Sequence, residues 1–408
     1  MANTFLTNLM ITNEALMILD HELSFFQTIT TTYDDQFAQR GAKNGDVLDI
    51  RLPPKYVVKD GATYISQPNI EEKATIKVTQ KHVGLEGIQN ADHTLRIDIF
   101  GERFIKPAMA PLANRVDADA LATADQVANI VGVPGTSPTT LLTYGDALTR
   151  LMNEGTGMNN LHMVTSHNDM NVIVDANKGL FHSGEQLITQ YERNLMGVAA
   201  GFKWLRDSHV LRHTSGLFTA GSTPLTAEAV ASGSTTILTD GWVISTTNVL
   251  RKGDHFSIAG ANAVVAQTKA DAGYPRTFVV TADQSTDGTA GGPITIPFSP
   301  AIQGPLTGGL QNVTALPVDG AVITPFGLEL TTSTYNIAYH PDAFALAFVD
   351  LMLPAGLDKA TRATHRSGVR MTYLSDFFIK EYEGIDRLDI LNGEICHRPE
   401  MACIVAGV

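Results

Sequence analysis

Four short stretches carry residue types whose spacing could do chemistry. In LHMVTSHNDM (161–170), His162, His167 and Asp169 offer two imidazoles and a carboxylate, a donor set that zinc accepts. His209 and His213 lie four apart, and the GDHF stretch (253–256) sets Asp254 beside His255. His340-Pro341-Asp342 places the same pair of side chains just ahead of the apolar run AFALAFVDL.

Each stretch also has a plainer structural reading. On a strand, positions five apart face opposite sides, so His162 and His167 diverge, and Ser166 or Asn168 suits a helix N-cap. No third ligand neighbours His209 and His213, and a turn leading into a strand accounts for GDHF. A dyad of His340 and Asp342 lacks a nucleophile, whereas Pro341 fits a first helical turn or a strand edge. Phe344, Leu346 and Phe348 alternate as a buried strand would, or group with Ala345 on a short helix. Walker, G-x-S-x-G, H-E-x-x-H and C-x-x-C patterns are absent, and Cys396 and Cys403 stand alone. The residues therefore predict no catalytic, cofactor-binding or metal site, and a chain that is not an enzyme.

Length and composition narrow the class. At 408 residues, two or three folding units are expected. Charged residues make up only 17%, below the usual level of about 25%, as on a surface that something else covers. A formal charge of −13 with no basic run argues against tight nucleic-acid binding, which requires clustered Lys and Arg. The first twenty residues have no basic signal-peptide region and no apolar run is long enough to span a bilayer, so neither secretion nor a membrane span is predicted. The sequon Asn312-Val313-Thr314 then has no role.

The elements that would position these residues follow from periodicity. Residues 1–40 predict an arm with a helix containing Leu16, Leu19 and Leu23. Phe25 and Phe26 lack a local partner, so the arm is expected to pack elsewhere, with a helix folded onto its own domain as the alternative. From Asp46 to His82, alternation in DVLDIRL and KATIKVTQK predicts two strands flanking a loop with an Asp60-Gly61 turn. An isolated hairpin is marginal in water, so it must rest on the chain's own body or on a neighbour. IKPAMAPLANRVDADALATADQVANIV (105–131) predicts a helix beginning near Pro107, with Met109, Leu112, Val116, Ala120 and Val127 at helical spacing and Pro111 kinking or delaying its start. Residues 141–215 alternate helices and strands, including YGDALTRLM, LHMVTS, NDMNVIVDAN and GEQLITQYERN. Between Gly216 and Thr331, turn-separated strands such as HFSIAG, RTFVVTA and PITIPF predict an inserted β-barrel or sandwich. The remainder returns to longer strands.

This order of parts resembles the major capsid proteins of tailed bacteriophages, which share the Hong Kong 97 fold. The resemblance is nearest to the coat proteins of short-tailed Salmonella phages. It rests on KPAMAPLANRVDADAL (106–121), LRKGDHFSIAGANAVVAQTK (250–269), YHPDAFALAFVDLMLP (339–354) and DRLDILNGEICHRPEMACIV (386–405). It implies an α+β chain with six segments. These are an N-terminal arm (1–40), an extended hairpin loop (41–90), a spine helix with peripheral domain (91–140), a first axial part (141–215), an inserted barrel (216–331), and a completion of axial and peripheral domains (332–408). The 339–354 segment becomes a core element of the axial domain. The resemblance further implies a homo-oligomer of hexamers and pentamers closing an icosahedral shell around double-stranded DNA without sequence-specific binding. Scaffolding, portal and decoration proteins are the implied partners; the virion, and the host cytoplasm during assembly, is the implied location. On the loop, Lys55, Lys59, Asp60, Glu71, Glu72 and Lys73 are candidate intersubunit contacts. A tail or decoration protein, or a soluble enzyme with a β insertion, would be the alternatives.

Overall fold

The computed structural model describes residues 8–32, 47–58, 61, 66, 69, 71–89, 101–177, 194–218, 222–289, 291–305, 308–353, 360–365, 367–378 and 383–407. The predicted helix in GEQLITQYERN lies outside them except for Asn194, as do Lys59 and Asp60. The chain divides into two compact units. One comprises 1–51, 73–121 and 344–397; the other comprises 52–72, 122–343 and 398–408.

The first unit is built on a six-stranded sheet. Its spine is the strand Glu383–Cys396, flanked on one edge by Arg370–Phe378 and then Phe344–Val349 and on the other by Thr79–Gln89, with Ala360–Thr364 and Thr30–Thr32 at the sheet's outer edges. Phe344–Val349 is a strand with all six side chains buried, because both faces are covered: Ile76 and Val78 lie on Ala345, Ala347 and Val349, and Phe25 and Phe26 on Phe344 and Phe348. A run that is apolar at every position cannot show its period, which is why the sequence left strand and helix open.

The 339–354 segment is not one core element. Asn336–Tyr339 pairs in the second unit, a short 3₁₀ turn at Pro341–Ala343 follows, and Phe344–Val349 pairs in the first.

The arm helix Asn8–Glu22 packs Ile11, Ala15, Leu16 and Leu19 within its own unit. Phe25 meets Phe344 edge-to-face at 5.7 Å, and Phe26 meets Phe348 at 5.5 Å. The expectation of an arm packing elsewhere is thus corrected for residues 8–32: its aromatic partners exist, but lie more than 300 positions away.

The long helix Lys106–Ala122 carries Pro111 inside it and follows a π-helical turn at Gly101–Ile105. Its buried face holds Ala113, Val116, Ala120 and, unexpectedly, Asp117. That carboxylate accepts hydrogen bonds from the backbone N–H groups of Ser24 (2.8 Å), Phe25 (3.3 Å) and Phe26 (3.4 Å), and from the Ser24 hydroxyl (3.2 Å). It caps from outside the turn that delivers the two phenylalanines. Lys81 Nζ reaches Asp119 of the same helix (3.0 Å) and Glu394 of the spine strand (3.4 Å), tying helix, loop strand and sheet together.

Strands Val47–Arg51 and Lys73–Lys77 pair antiparallel, from Val47 opposite Lys77 to Arg51 opposite Lys73. Ile76 and Val78 bury themselves against Ala345, Ala347 and Val349. Small residues make that floor shallow enough. A methyl group on Gly393 would sit 2.5 Å from Ile76 Cγ2 and 2.6 Å from the Lys77 carbonyl oxygen, and a backbone atom cannot move aside cheaply. Gly393→Ala is therefore expected to lift the hairpin base and cost about 1–3 kcal/mol, the usual range for an overpacked core. A lowered urea midpoint checks it.

In the second unit, a six-stranded sheet runs in the order Ile130–Val131, Ala402–Val405, Asn336–Tyr339, His162–Thr165, Phe202–Arg206, Val198–Ala199. Helices Leu141–Asn153 and His167–Asn177 accompany it, and Tyr144 packs on Trp204 with ring centroids at 4.7 Å. The same unit holds a second six-stranded sheet spanning Leu225 to Pro325. Its end strands are joined where Thr226 N–H bonds the Ala321 carbonyl (2.9 Å) and Ile323 N–H the Pro224 carbonyl (2.9 Å), so the sheet closes on itself. Phe256, Phe278 and Phe298 fill its centre, with centroids 5.1–6.0 Å apart.

Candidate functional site

The residues with chemical potential are structural, and each shows why. Ser166 is an N-cap: its Oγ accepts the Asp169 N–H at 3.1 Å. Buried Asn336 completes the arrangement, accepting from Ser166 N–H (3.0 Å) and donating to Asp169 Oδ2 (2.8 Å). His162 is buried and stacked on Tyr339, and its pKa is lowered, first by burial and then by the charges of Lys203 and His340. His167 is exposed, so the three do not converge. His209 bonds Asp207 within a turn (2.9 Å), and His340 stands 3.6 Å from Asp342. Among the described residues, no group of three His, Cys, Asp or Glu is arranged to hold a metal.

One convergence was not visible in the sequence: His213 and the GDHF stretch meet. Asp254 is buried and accepts from His213 Nε2 (2.7 Å), Gly216 N–H (3.0 Å) and Arg251 N–H (2.7 Å). Its neighbour His255 donates from Nε2 to the Val127 carbonyl at 2.7 Å. Tyr335 lies against both imidazoles, at 5.2 and 5.7 Å, with its hydroxyl 3.4 Å from the Gly253 carbonyl; burial pushes that hydroxyl's pKa up. Lys252 pairs with Asp125 at 2.6 Å. The cluster gathers the chain where it enters the barrel near 213–216, the first long barrel strand, and the returning segment at Tyr335. It is the root of the barrel.

Burial, as the largest cause, lowers the pKa of His255 to about 4, with the nearby His213 acting in the same sense. The unfolded chain, with an imidazole near 6.5, binds a proton that the folded state refuses. Stability from this group is therefore present above about pH 6.5 and lost as pH falls toward 4, by up to about 3 kcal/mol. A His255→Gln variant is expected to flatten that stretch of the stability–pH curve, measured by urea unfolding at each pH.

The loop residues fall as follows. Lys55 forms an ion pair with Glu400 of its own chain at 3.1 Å. Burial opposes ionisation of Glu400, but Lys55 and Arg398 outweigh it and hold the carboxyl below its usual range. Lys73 pairs with Asp49 across the hairpin at 3.7 Å, both exposed. Glu71 and Glu72 are exposed, and Glu72 accepts the Leu52 N–H through its carbonyl (2.9 Å). Gly61 takes a φ of +110°, in keeping with the turn expected there. Tyr56 and Val58 are 60% and 87% exposed, and the Tyr56 hydroxyl donates to Asn69 Oδ1 of the same loop at 3.1 Å. No helix among the described residues is long and apolar enough to cross a membrane.

Among the described residues, three six-stranded sheets, one of them closed into a barrel, and a long helix make an α+β chain, and its sequence is that of a phage major capsid protein, a component of the virion shell. The chain belongs to the P22 coat protein family: the model described as "P22 coat protein - gene protein 5" matches residues 60–406. No curated protein matches it in sequence. Among solved structures, it is similar to the asymmetric unit of the bacteriophage PhiM1 mature capsid (9% identity, TM-score 0.42, 94% of this chain and 87% of that one). The capsid of the native GTA particle gives 7% identity and a TM-score of 0.44, over 95% and 90% of the two chains. The CUS-3 coat protein I-domain gives 24% identity and a TM-score of 0.20, over 27% of this chain and 99% of that one. Shell-forming proteins of this kind assemble from many copies of themselves, and their role is structural.

Proposed function

We propose that this coat protein builds an icosahedral shell of hexamers and pentamers around double-stranded DNA, and that the loop 52–72 is the segment that engages a neighbouring copy. The observation that carries the loop's role is the exposure of Tyr56 and Val58 on an extended segment. Lys59, Asp60, Glu71 and Glu72 are the charges we assign to that contact. Lys55 and Lys73 have partners in their own chain, so any neighbour contact of theirs is shared with Glu400 and Asp49. Exposed ion pairs contribute about 0–1 kcal/mol each, so they set register while repetition supplies strength. Within a closing lattice each further contact is effectively intramolecular, and modest interfaces suffice.

The six-segment division, with 216–331 as an inserted domain, belongs to the same reading, as does a role without catalysis. Scaffolding, portal and decoration proteins are its proposed partners during assembly. An acidic chain of charge −13 suits a container that holds DNA by confinement with little adhesion. Sedimentation velocity tests the reading. Purified protein is expected to form megadalton shells, and Tyr56→Ser with Val58→Ser to leave mainly folded subunits. Wild-type protein remaining at 43.9 kDa under all assembly conditions would refute it.

A further inference from the structure

The loop stem does not stand free in the second unit. The Lys55 carbonyl and the Tyr56 N–H lie directly over Gly309, in the short turn Gly308–Leu310 that follows the barrel strand Ile294–Ser299. A methyl group on Gly309 would overlap the Lys55 carbonyl. Gly309 has no left-handed φ, so what the position requires is space for the crossing chain. Beneath, Lys269 from the barrel's longest hairpin props the turn by donating to the carbonyls of Gly309 (2.9 Å) and Gln311 (3.1 Å). Above, Lys55 Nζ clasps Glu400. Just beyond the crossing, Tyr56 and Val58 face outward.

We propose that the 308–311 turn is a saddle on which the barrel carries the loop stem, and that Gly309 and Lys269 are positioning residues for assembly. This rests on the loop engaging a neighbouring copy. The barrel then does more than fill an insertion: it sets the line along which Tyr56 and Val58 are offered, and with it the geometry between copies. A contact of this kind acts through position, so its loss changes what is assembled more than whether the subunit folds.

Two measurements on full-length protein test it. The first is hydrogen exchange of residues 52–58 in isolated subunits. Gly309→Ala and Lys269→Met are each expected to raise it about tenfold or more while barrel amides at 256–258 keep their protection, since local opening is independent of global unfolding. The second is the distribution of shell diameters by electron microscopy, expected to broaden for both variants. Should Gly309→Ala fold poorly, Lys55→Glu reads the same clasp: it is expected to raise exchange at 52–58, and the swap Lys55→Glu with Glu400→Lys to restore it. Unchanged exchange at 52–58 in these variants, or an unrestored swap, overturns the saddle. Raised exchange with shells of unchanged diameter overturns its part in assembly. Failure of the wild type to assemble would instead strike the shell reading, leaving the exchange result to stand by itself.

Discussion

Asp254→Ala is expected to unfold the barrel at a urea concentration well below wild type, at a cost of about 3 kcal/mol, from the hydrogen-bond donors it leaves without an acceptor. The carboxylate is 3% exposed and serves three donors: His213, Gly216 N–H and Arg251 N–H. Alanine leaves all three unmatched, the Gly216 N–H fully buried and the other two partly so, and a buried orphan costs about 1–3 kcal/mol before relaxation. Asp254→Asn keeps acceptor oxygen for some of them and is expected to lose roughly half as much. His213→Ala, which removes a single donor, is expected to lose least. A chain with several sheets need not unfold in one step, so the signal must be local. Trp242 is buried in the barrel core, and the second tryptophan, Trp204, belongs to the neighbouring sheet. In a Trp204→Phe background, Trp242 fluorescence follows the barrel.

The second large effect is expected at Asp117. It receives three consecutive backbone N–H groups and a hydroxyl, and it holds Phe25 and Phe26 in place against Phe344 and Phe348. Asp117→Ala removes the anchor and, with it, the edge-to-face contacts of both rings. A loss of about 3 kcal/mol or more follows from the orphaned donors alone. Limited proteolysis is expected to cut within residues 8–28 of the variant under conditions that leave the wild-type arm intact. An arm equally resistant in both proteins would show that the apolar face of Asn8–Glu22 suffices without the carboxylate.

These two acids also show how far the sequence could be read. Asp117 sits at helical spacing with Ala113, Val116 and Ala120. A carboxylate on an apolar stripe must have a partner, and that signal was present, but the partner is the turn at 24–26, more than ninety positions upstream. Asp254 was singled out with its neighbour His255, yet the convergence with His213 and Tyr335 depends on how the chain enters and leaves the barrel. Strand alternation in DVLDIRL and KATIKVTQK was legible because each pattern is local, and their pairing from Val47↔Lys77 to Arg51↔Lys73 follows. The helix at Lys106–Ala122 was legible from its spacing and Pro107, but its end was not: the expected run through Val127 gives way to a 3₁₀ turn at Thr123–Gln126 and a strand at Ile130–Val131. Phe344–Val349 was not, since burial on both faces erases alternation. Nor could local pattern divide the 339–354 segment between two sheets, because sheet membership is decided by strands at 162–165, 383–396 and 402–405.

The loop illustrates the remaining gap. Its charges were visible as charges, but Glu400 as the partner of Lys55 and Gly309 as the floor beneath it were not. Both depend on remote segments meeting the stem, which no spacing within 46–82 encodes.

The central claim is that this chain is a shell tile whose loop finishes its packing on another copy. An electron-microscopy map of the assembled particle, at a resolution that traces side chains, tests it most directly. The account predicts residues 56–72 in contact with the adjacent subunit, with Tyr56 and Val58 covered and the stem still crossing Gly309 of its own chain. A map in which that segment lies wholly on its own subunit, with Val58 open to solvent, would contradict it.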